Sequence, residues 1–182
     1  MIHHPELLER LGALPREKFE GDCFRATPLS LDPLAPSTRG GRWAPPDETP
    51  VLYTSLLREG ALAEIAFHWA QLSPLPSKPA ALHHLRVTTR KTLRLVRANL
   101  ETLGVRATAY ASVNYSQTQA IGAAVAFLEC DGLIVPSVRW ECDHLVIFSD
   151  HHDVVQDELK VIGTEQVDWL SWGREHGLAS CE

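Results

Sequence analysis

Residues 117–137 read QTQAIGAAVAFLECDGLIVPS, and this stretch decides the fold class. From Gln117 to Cys130 the chain is an unbroken run dominated by Ala and other small residues, which predicts a buried helix. Gly132–Val135 is an apolar run of strand length, followed by Pro136-Ser137, and His144–Phe148 is a second such run. A buried helix leading into short buried strands belongs to a mixed α and β chain, not to a bundle or an all-β sandwich.

The same change of period recurs on either side. Residues 82–97 alternate as a strand does, with Arg86, Thr88, Arg90, Thr92 and Arg94 on one parity and Leu85, Val87, Leu93 and Leu95 on the other. Val51–Ser55 reads as a strand, and Leu57–Leu72 as a helix ended by Ser73-Pro74 and Pro76. Before them, 28–50 is a long irregular stretch with six prolines and the pair Gly40-Gly41. A loop of that length without its own elements is usually functional or disordered, and the presence of Trp43 and the arginines favours function. Cys23–Thr27 has the pattern of a short strand, 5–13 of a short amphipathic helix with Pro5 near its start, and 154–169 of one more strand and a polar turn.

Composition narrows the function classes. The 182 residues carry 17 Lys and Arg against 23 Asp and Glu, a net charge of -6 that disfavours a phosphate-neutralising nucleic-acid binder. The charge is uneven: 78–106 holds seven basic residues against Glu101 alone, while 129–182 holds twelve acidic residues against three basic ones. A solvated strand face accounts for the basic segment better than a nucleic-acid patch does. No apolar run has the length of a membrane span, and MIHHPELLER lacks the apolar core of a signal peptide. Cys23, Cys130, Cys142 and Cys181 lie far apart with no CxxC, as expected for reduced thiols. These features predict a cytoplasmic, single-domain chain spanning 1–182.

Nucleotide-loop, zincin and serine-elbow motifs are absent. On a wheel of 57–72, Leu62, Ile65, Ala66, Trp69 and Leu72 share one arc. Glu64 falls outside it, beside Gly60, Ala61, His68 and Gln71. A solvated carboxylate explains this as simply as a catalytic one, although small neighbours leave room for a ligand. Arg25, Arg39 and Arg42 carry planar forks suited to phosphate or carboxylate, or serve as ordinary surface charges. Trp43 is equally a core anchor or a stacking surface, and Tyr53 either packs into the core or faces a pocket. His144, Asp150, His151, His152 and Asp153 are ligand types in a spacing that does not match a metal site, so no metal is expected.

Taken in order, FRAT (24–27), RGGRW (39–43), VLYTS (51–55), ALAE (61–64), QTQAIG (117–122), DGLIVPS (131–137) and LVIF (145–148) resemble the RES-domain family, the toxins of RES–Xre toxin–antitoxin pairs. The resemblance covers about 23–149, with Tyr53 eleven residues after Arg42 and Glu64 eleven after Tyr53. Ala44-Pro45-Pro46-Asp47 stands where many members have Asn and a Pro-Gly turn, and Asp143-His144 stands where an Asn is familiar. The resemblance implies an α+β, ADP-ribosyltransferase-like fold, with two small twisted sheets and flanking helices around an NAD cleft.

By the same resemblance, Arg42, Glu64 and Ser137 are the catalytic residues, and Arg25 and Tyr53 bind NAD. NAD is a substrate and no separate cofactor is needed; the nicotinamide–ribose bond is cleaved with phosphate or water as acceptor. The implied partners are an Xre-like helix-turn-helix antitoxin and further copies of the chain in a homo-oligomer, with no membrane or direct nucleic-acid contact. Protein ADP-ribosylation, or a catalytically silent binding module of the same fold, are the alternatives. The chemistry suits the residues: a carboxylate beside the ribose stabilises an oxocarbenium-like state, and arginines restrain the pyrophosphate.

Overall fold

Twelve elements follow one another in the computed structural model, which describes residues 3–153 and 157–179. They are α1 (Pro5–Gly12), β1 (Arg16–Pro28), β2 (Val51–Ser55), α2 (Arg58–Trp69), β3 (Ala80–Arg94), α3 (Arg97–Thr102), α4 (Ala107–Ala111), α5 (Ser116–Phe127), β4 (Gly132–Pro136), β5 (Asp143–Phe148), β6 (Leu159–Val167) and α6 (Trp169–Glu175). The strands form one six-stranded sheet in the order β1-β2-β5-β4-β3-β6, with β1 also pairing β3.

The two small sheets expected from the resemblance are thus halves of one hydrogen-bonded network, and β3 joins them. Along one edge it runs antiparallel to β1 from Arg16↔Leu93 to Pro28↔Ala80. Its other edge is divided: Ala80–Val87 pair antiparallel with β6, and Thr92–Arg94 pair parallel with β4. The circuit β1-β2-β5-β4-β3 closes on itself through a single β1–β2 register pair, Phe24↔Ser55.

Alternation along the strands fills both sides of this ring. Cys23, Leu52, Leu85, Val87, Ile134, Leu145 and Ile147, drawn from all five ring strands, form one buried cluster in its interior. Their chain neighbours Val51, Leu133, Val135, Val146 and Phe148 instead join Ile121, Ala124 and Val125 of α5 and Leu11 of α1 in the main core. On a third side α2 packs against β1 and α6, where Ile65 and Ala66 meet Trp169.

Several boundaries differ from the sequence expectation. β1 begins at Arg16, not Cys23, because REKFEGD has no apolar alternation and is held by its pairing with β3 and by the cross-strand ion pairs Arg86–Asp22 and Arg94–Glu17. The second helix ends at Trp69, and Leu72, expected on its apolar arc, is 50% exposed. The arginines of β3 meet carboxylates, with Arg90 2.5 Å from Asp157 and Arg94 2.9 Å from Asp143, as a paired strand face does. Cys23, Cys130 and Cys142 are free thiols, and burial pushes Cys23 up to about 12. Cys181, and residues 154–156 of the expected last strand, lie outside the described residues. No helix among the described residues is long and apolar enough to cross a membrane.

Candidate active site

Where β1, β2, α2 and the start of β5 converge, they enclose a cavity of about 310 Å³. Its wall includes Phe24–Thr27 of β1, Tyr53–Ser55 of β2, Ala61, Glu64, Ile65, His68 and Trp69 of α2, and His144 of β5, with Leu31 and Ser37 of the long loop at its edge. That volume lies at the lower end of the ~300–1,000 Å³ typical of small-molecule sites.

Glu64 reaches this wall because α2 buries Leu62, Ile65 and Ala66 on its core side, which turns positions 64 and 68 together toward the cavity. The carboxylate is held between two imidazoles: His68 Nε2 is 3.6 Å from Oε2, and His144 Nε2 is 3.7 Å from Oε1. Burial alone would raise the carboxyl. The His68 contact and the electrostatic influence of the His144 and His68 rings and the Arg139 guanidinium outweigh it and hold Glu64 below its ordinary value. A depressed folded value means that the ionised form adds stability above the unfolded value, and that this is lost as pH falls through the folded one. Carboxyl carbon NMR of the intact chain is expected to place the Glu64 midpoint below 4.5; a midpoint above it would show that burial prevails.

Tyr53 belongs to the same wall, on the opposite face of β2 from Leu52. Its hydroxyl accepts the Trp43 backbone N–H at 3.1 Å, and burial pushes its phenol up to about 12. The RGGRW loop lies directly on this ring: a Cβ on Gly41 would meet Tyr53 Oη at 2.7 Å, and Gly40 has a positive φ of 78°. Trp43 is therefore a core anchor, 2% exposed. Tyr53→Phe is expected to leave the Trp43 N–H unpaired and to cost about 1–3 kcal/mol in a urea titration, while an unchanged midpoint would contradict the bond.

Arg25 stands between this cavity and a neighbouring one of about 480 Å³ that also contains Arg39. Its Nη1 donates to the carbonyls of Pro33 and Ala35, both at 3.1 Å, which ties the long loop to β1. Arg42 and Ser137 do not reach the cavity wall. The Arg42 guanidinium donates to the carbonyls of Tyr110 at 2.5 Å and Ser112 at 3.3 Å and lies over the rings of Tyr110 and Tyr115. Ser137 is buried, and its Oγ accepts the N–H groups of Arg139 and Trp140 at 3.1 and 3.2 Å. Arg42 thus braces α4 and the residue after it, and Ser137 the turn that follows β4.

The RES-domain family model matches residues 10–170, a longer span than the motifs alone delimit. The chain belongs to the RES-domain family. The fold agrees with a chain of the M. tuberculosis MbcT–MbcA toxin–antitoxin complex, known from its crystal structure, at a TM-score of 0.77 and 21% identity over 96% of this chain and 98% of that one. The architecture is accordingly an α+β one, with the fold of that toxin–antitoxin chain. No curated protein sequence matches the chain.

In this RES domain three features of the site have no clear local signature in the sequence. His144 stands apart from the His/Asp run at 150–153 and joins the cavity, while His152 is buried with Nε2 2.9 Å from the Thr88 carbonyl oxygen. Arg139 lies 3.4 Å above the Phe67 ring and contributes positive charge at Glu64; its place two residues after Ser137 is the one signal the sequence offers. Gly60 does not provide room for a ligand as expected. A Cβ there would meet Ser55 Oγ at 2.2 Å and Cys142 Sγ at 2.5 Å, so this glycine serves close packing, and Ala61 alone of the pair lines the cavity.

Proposed function

We propose that this RES domain degrades NAD by breaking the nicotinamide–ribose bond, with phosphate or water as acceptor. The observation that carries the reading is Glu64, an ionised carboxylate on the wall of a largely apolar cavity that Tyr53 also lines. As the bond lengthens, positive charge gathers on the ribose, and a fixed carboxylate in a poorly hydrated site stabilises that charge more than it stabilises the ground state. The nicotinamide end occupies the cavity of Glu64, with Tyr53 against the ring. The pyrophosphate passes Arg25, whose planar fork suits paired anionic oxygens, and the adenosine end enters the adjoining cavity beside Arg39. Arg42 and Ser137 act by holding the 110–115 and 137–142 segments in place. NAD is consumed as a substrate, so the reaction calls for no separate cofactor.

The test is nicotinamide release from NAD by the purified chain, with and without phosphate; no release at enzyme concentrations near that of the substrate rejects the reading. NAD labelled in its ADP-ribose part separates the acceptors, since label on a protein band indicates protein ADP-ribosylation and label confined to small molecules indicates phosphorolysis or hydrolysis. Arg25→Ala is expected to raise KM for NAD about tenfold to a hundredfold with a smaller change in kcat, the effect of removing a charged contact made in both ground and transition states.

The reading extends to a toxin held in check by an Xre-like helix-turn-helix antitoxin, supported by family membership and by the toxin–antitoxin complex that shares the fold. The reading includes action in the cytoplasm, since an enzyme that consumes intracellular NAD acts where NAD is held.

A further inference from the structure

His144 has an environment that packing alone does not require. Its Nε2 is fully buried and has no hydrogen-bond partner, although Glu64 Oε1 is only 3.7 Å away. An unpaired buried ring nitrogen carries a desolvation cost, and here it points at the carboxylate on which the proposed reaction depends. We propose that His144 is a positioning residue for Glu64: its neutral imidazole, protonated on Nε2, donates to Oε1 and fixes the carboxylate orientation, through a contact that is long in the empty cavity and shortens when the cavity is filled.

The gap suits this role. The terminal torsion of a glutamate is soft, so Oε1 closes to hydrogen-bond distance by a small rotation. Catalytic hydrogen bonds are commonly long in the empty site and tighten when the substrate binds. The surroundings keep the ring neutral. Burial is the leading influence and lowers His144, opposed by Glu64 and Asp143 and reinforced by Arg42. The charged and titratable groups around the pair are Glu64 and His68 from α2, Arg139 and Cys142 from the segment after β4, Arg42 from the long loop, Tyr110 from α4 and Asp143 next to His144 on β5. A neutral donor orients the carboxylate without cancelling its charge, whereas a lysine or arginine in this place would form an ion pair and spend that charge. His68, 56% exposed against 15% for His144, sits on the solvent side of the same carboxylate and is the weaker restraint.

This inference rests on the NAD reading for its kinetic part and not for its spectroscopic part. In imidazole nitrogen–proton NMR of the intact chain at neutral pH, the His144 proton is expected on Nε2, with a downfield resonance that moves upfield or broadens in Glu64→Ala. A proton on Nδ1, or a resonance indifferent to Glu64→Ala, overturns the proposal whether or not NAD is turned over. In turnover, His144→Leu is expected to lower kcat about a hundredfold with little change in KM, as a misplacement of about 1 Å does. His144→Gln places an amide N–H where Nε2 stood and is expected to recover most of kcat. His144→Asn places it where Nδ1 stood and is expected not to. Equal losses in the Gln and Asn variants, or an unimpaired Leu variant, reject the role, and the Gln–Asn comparison decides if the Leu variant fails to fold. Wild-type chain that leaves NAD intact would reject the proposed function, with the NMR result still standing on its own.

Discussion

Glu64→Gln is expected to slow nicotinamide release about 10²–10³-fold, the range seen when one preorganised electrostatic contact to a transition state is removed. The substitution keeps the shape of the side chain and its ability to accept a hydrogen bond, so KM for NAD should change little. What it removes is the negative charge facing the ribose, which acts mainly as the oxocarbenium character develops. The loss should therefore fall on kcat and on kcat/KM alike. The structure adds a reason for a large effect: Glu64 is set in a largely apolar wall that carries, among the described residues, no second carboxylate to take over its charge. The measurement is a full saturation curve with and without phosphate. A Gln variant within a few-fold of wild type would mean that Glu64 is the solvated carboxylate its helical position also allows.

Gly122→Ala is the second large effect, and it reads on stability. Gly122 lies on α5 where the helix meets the RGGRW loop, and a Cβ there would stand 1.8 Å from the Trp43 carbonyl oxygen and 2.7 Å from its carbon. Both are backbone atoms, so no side-chain rotation relieves the clash. Either the helix shifts or Trp43 leaves its buried seat. Replacing a mid-helix glycine with alanine gains about 0.5–1 kcal/mol when the site is open. Overpacking a filled core costs about 1–3 kcal/mol or more, and backbone contact this close favours the upper figure. The clash wins, and a net loss of about 2 kcal/mol or more is expected in the denaturant midpoint. Gly12→Ala is the control: nothing lies within 4 Å of its Cβ position at the end of α1, so a small gain or no change is expected. If Gly122→Ala were as benign as Gly12→Ala, the helix and the loop would not meet as described. Because Arg42 and the Trp43–Tyr53 bond ride on the same loop, turnover should fall with stability.

The elements that announced themselves in the sequence are those whose burial follows a local period. Gly132–Val135, His144–Phe148 and Val51–Ser55 alternate between the ring interior and the helical core, and the Ala-rich run at 117–130 shows the small side chains that a helix packed on several sides requires. Glu64 could be singled out on the same terms, as a charge off the apolar arc of its helix, and the motif order from Phe24 to Phe148 gave the family. No period in the sequence marks Arg16–Asp22 as strand, because it is held by backbone pairing to β3 and by carboxylates opposite Arg86 and Arg94. The short helices at 97–102, 107–111 and 169–175 are too brief to show a periodic stripe, and their contacts stabilise them. The site itself was decided by tertiary structure. Only folding brings His144 within 3.7 Å of Glu64 and directs the Arg42 guanidinium to the carbonyls of Tyr110 and Ser112 and not into the cavity. Local sequence specifies which residues face the core. Which distant side chains share a wall follows from how β3 pairs with three other strands and draws the ring closed, and that pairing is written in no single segment.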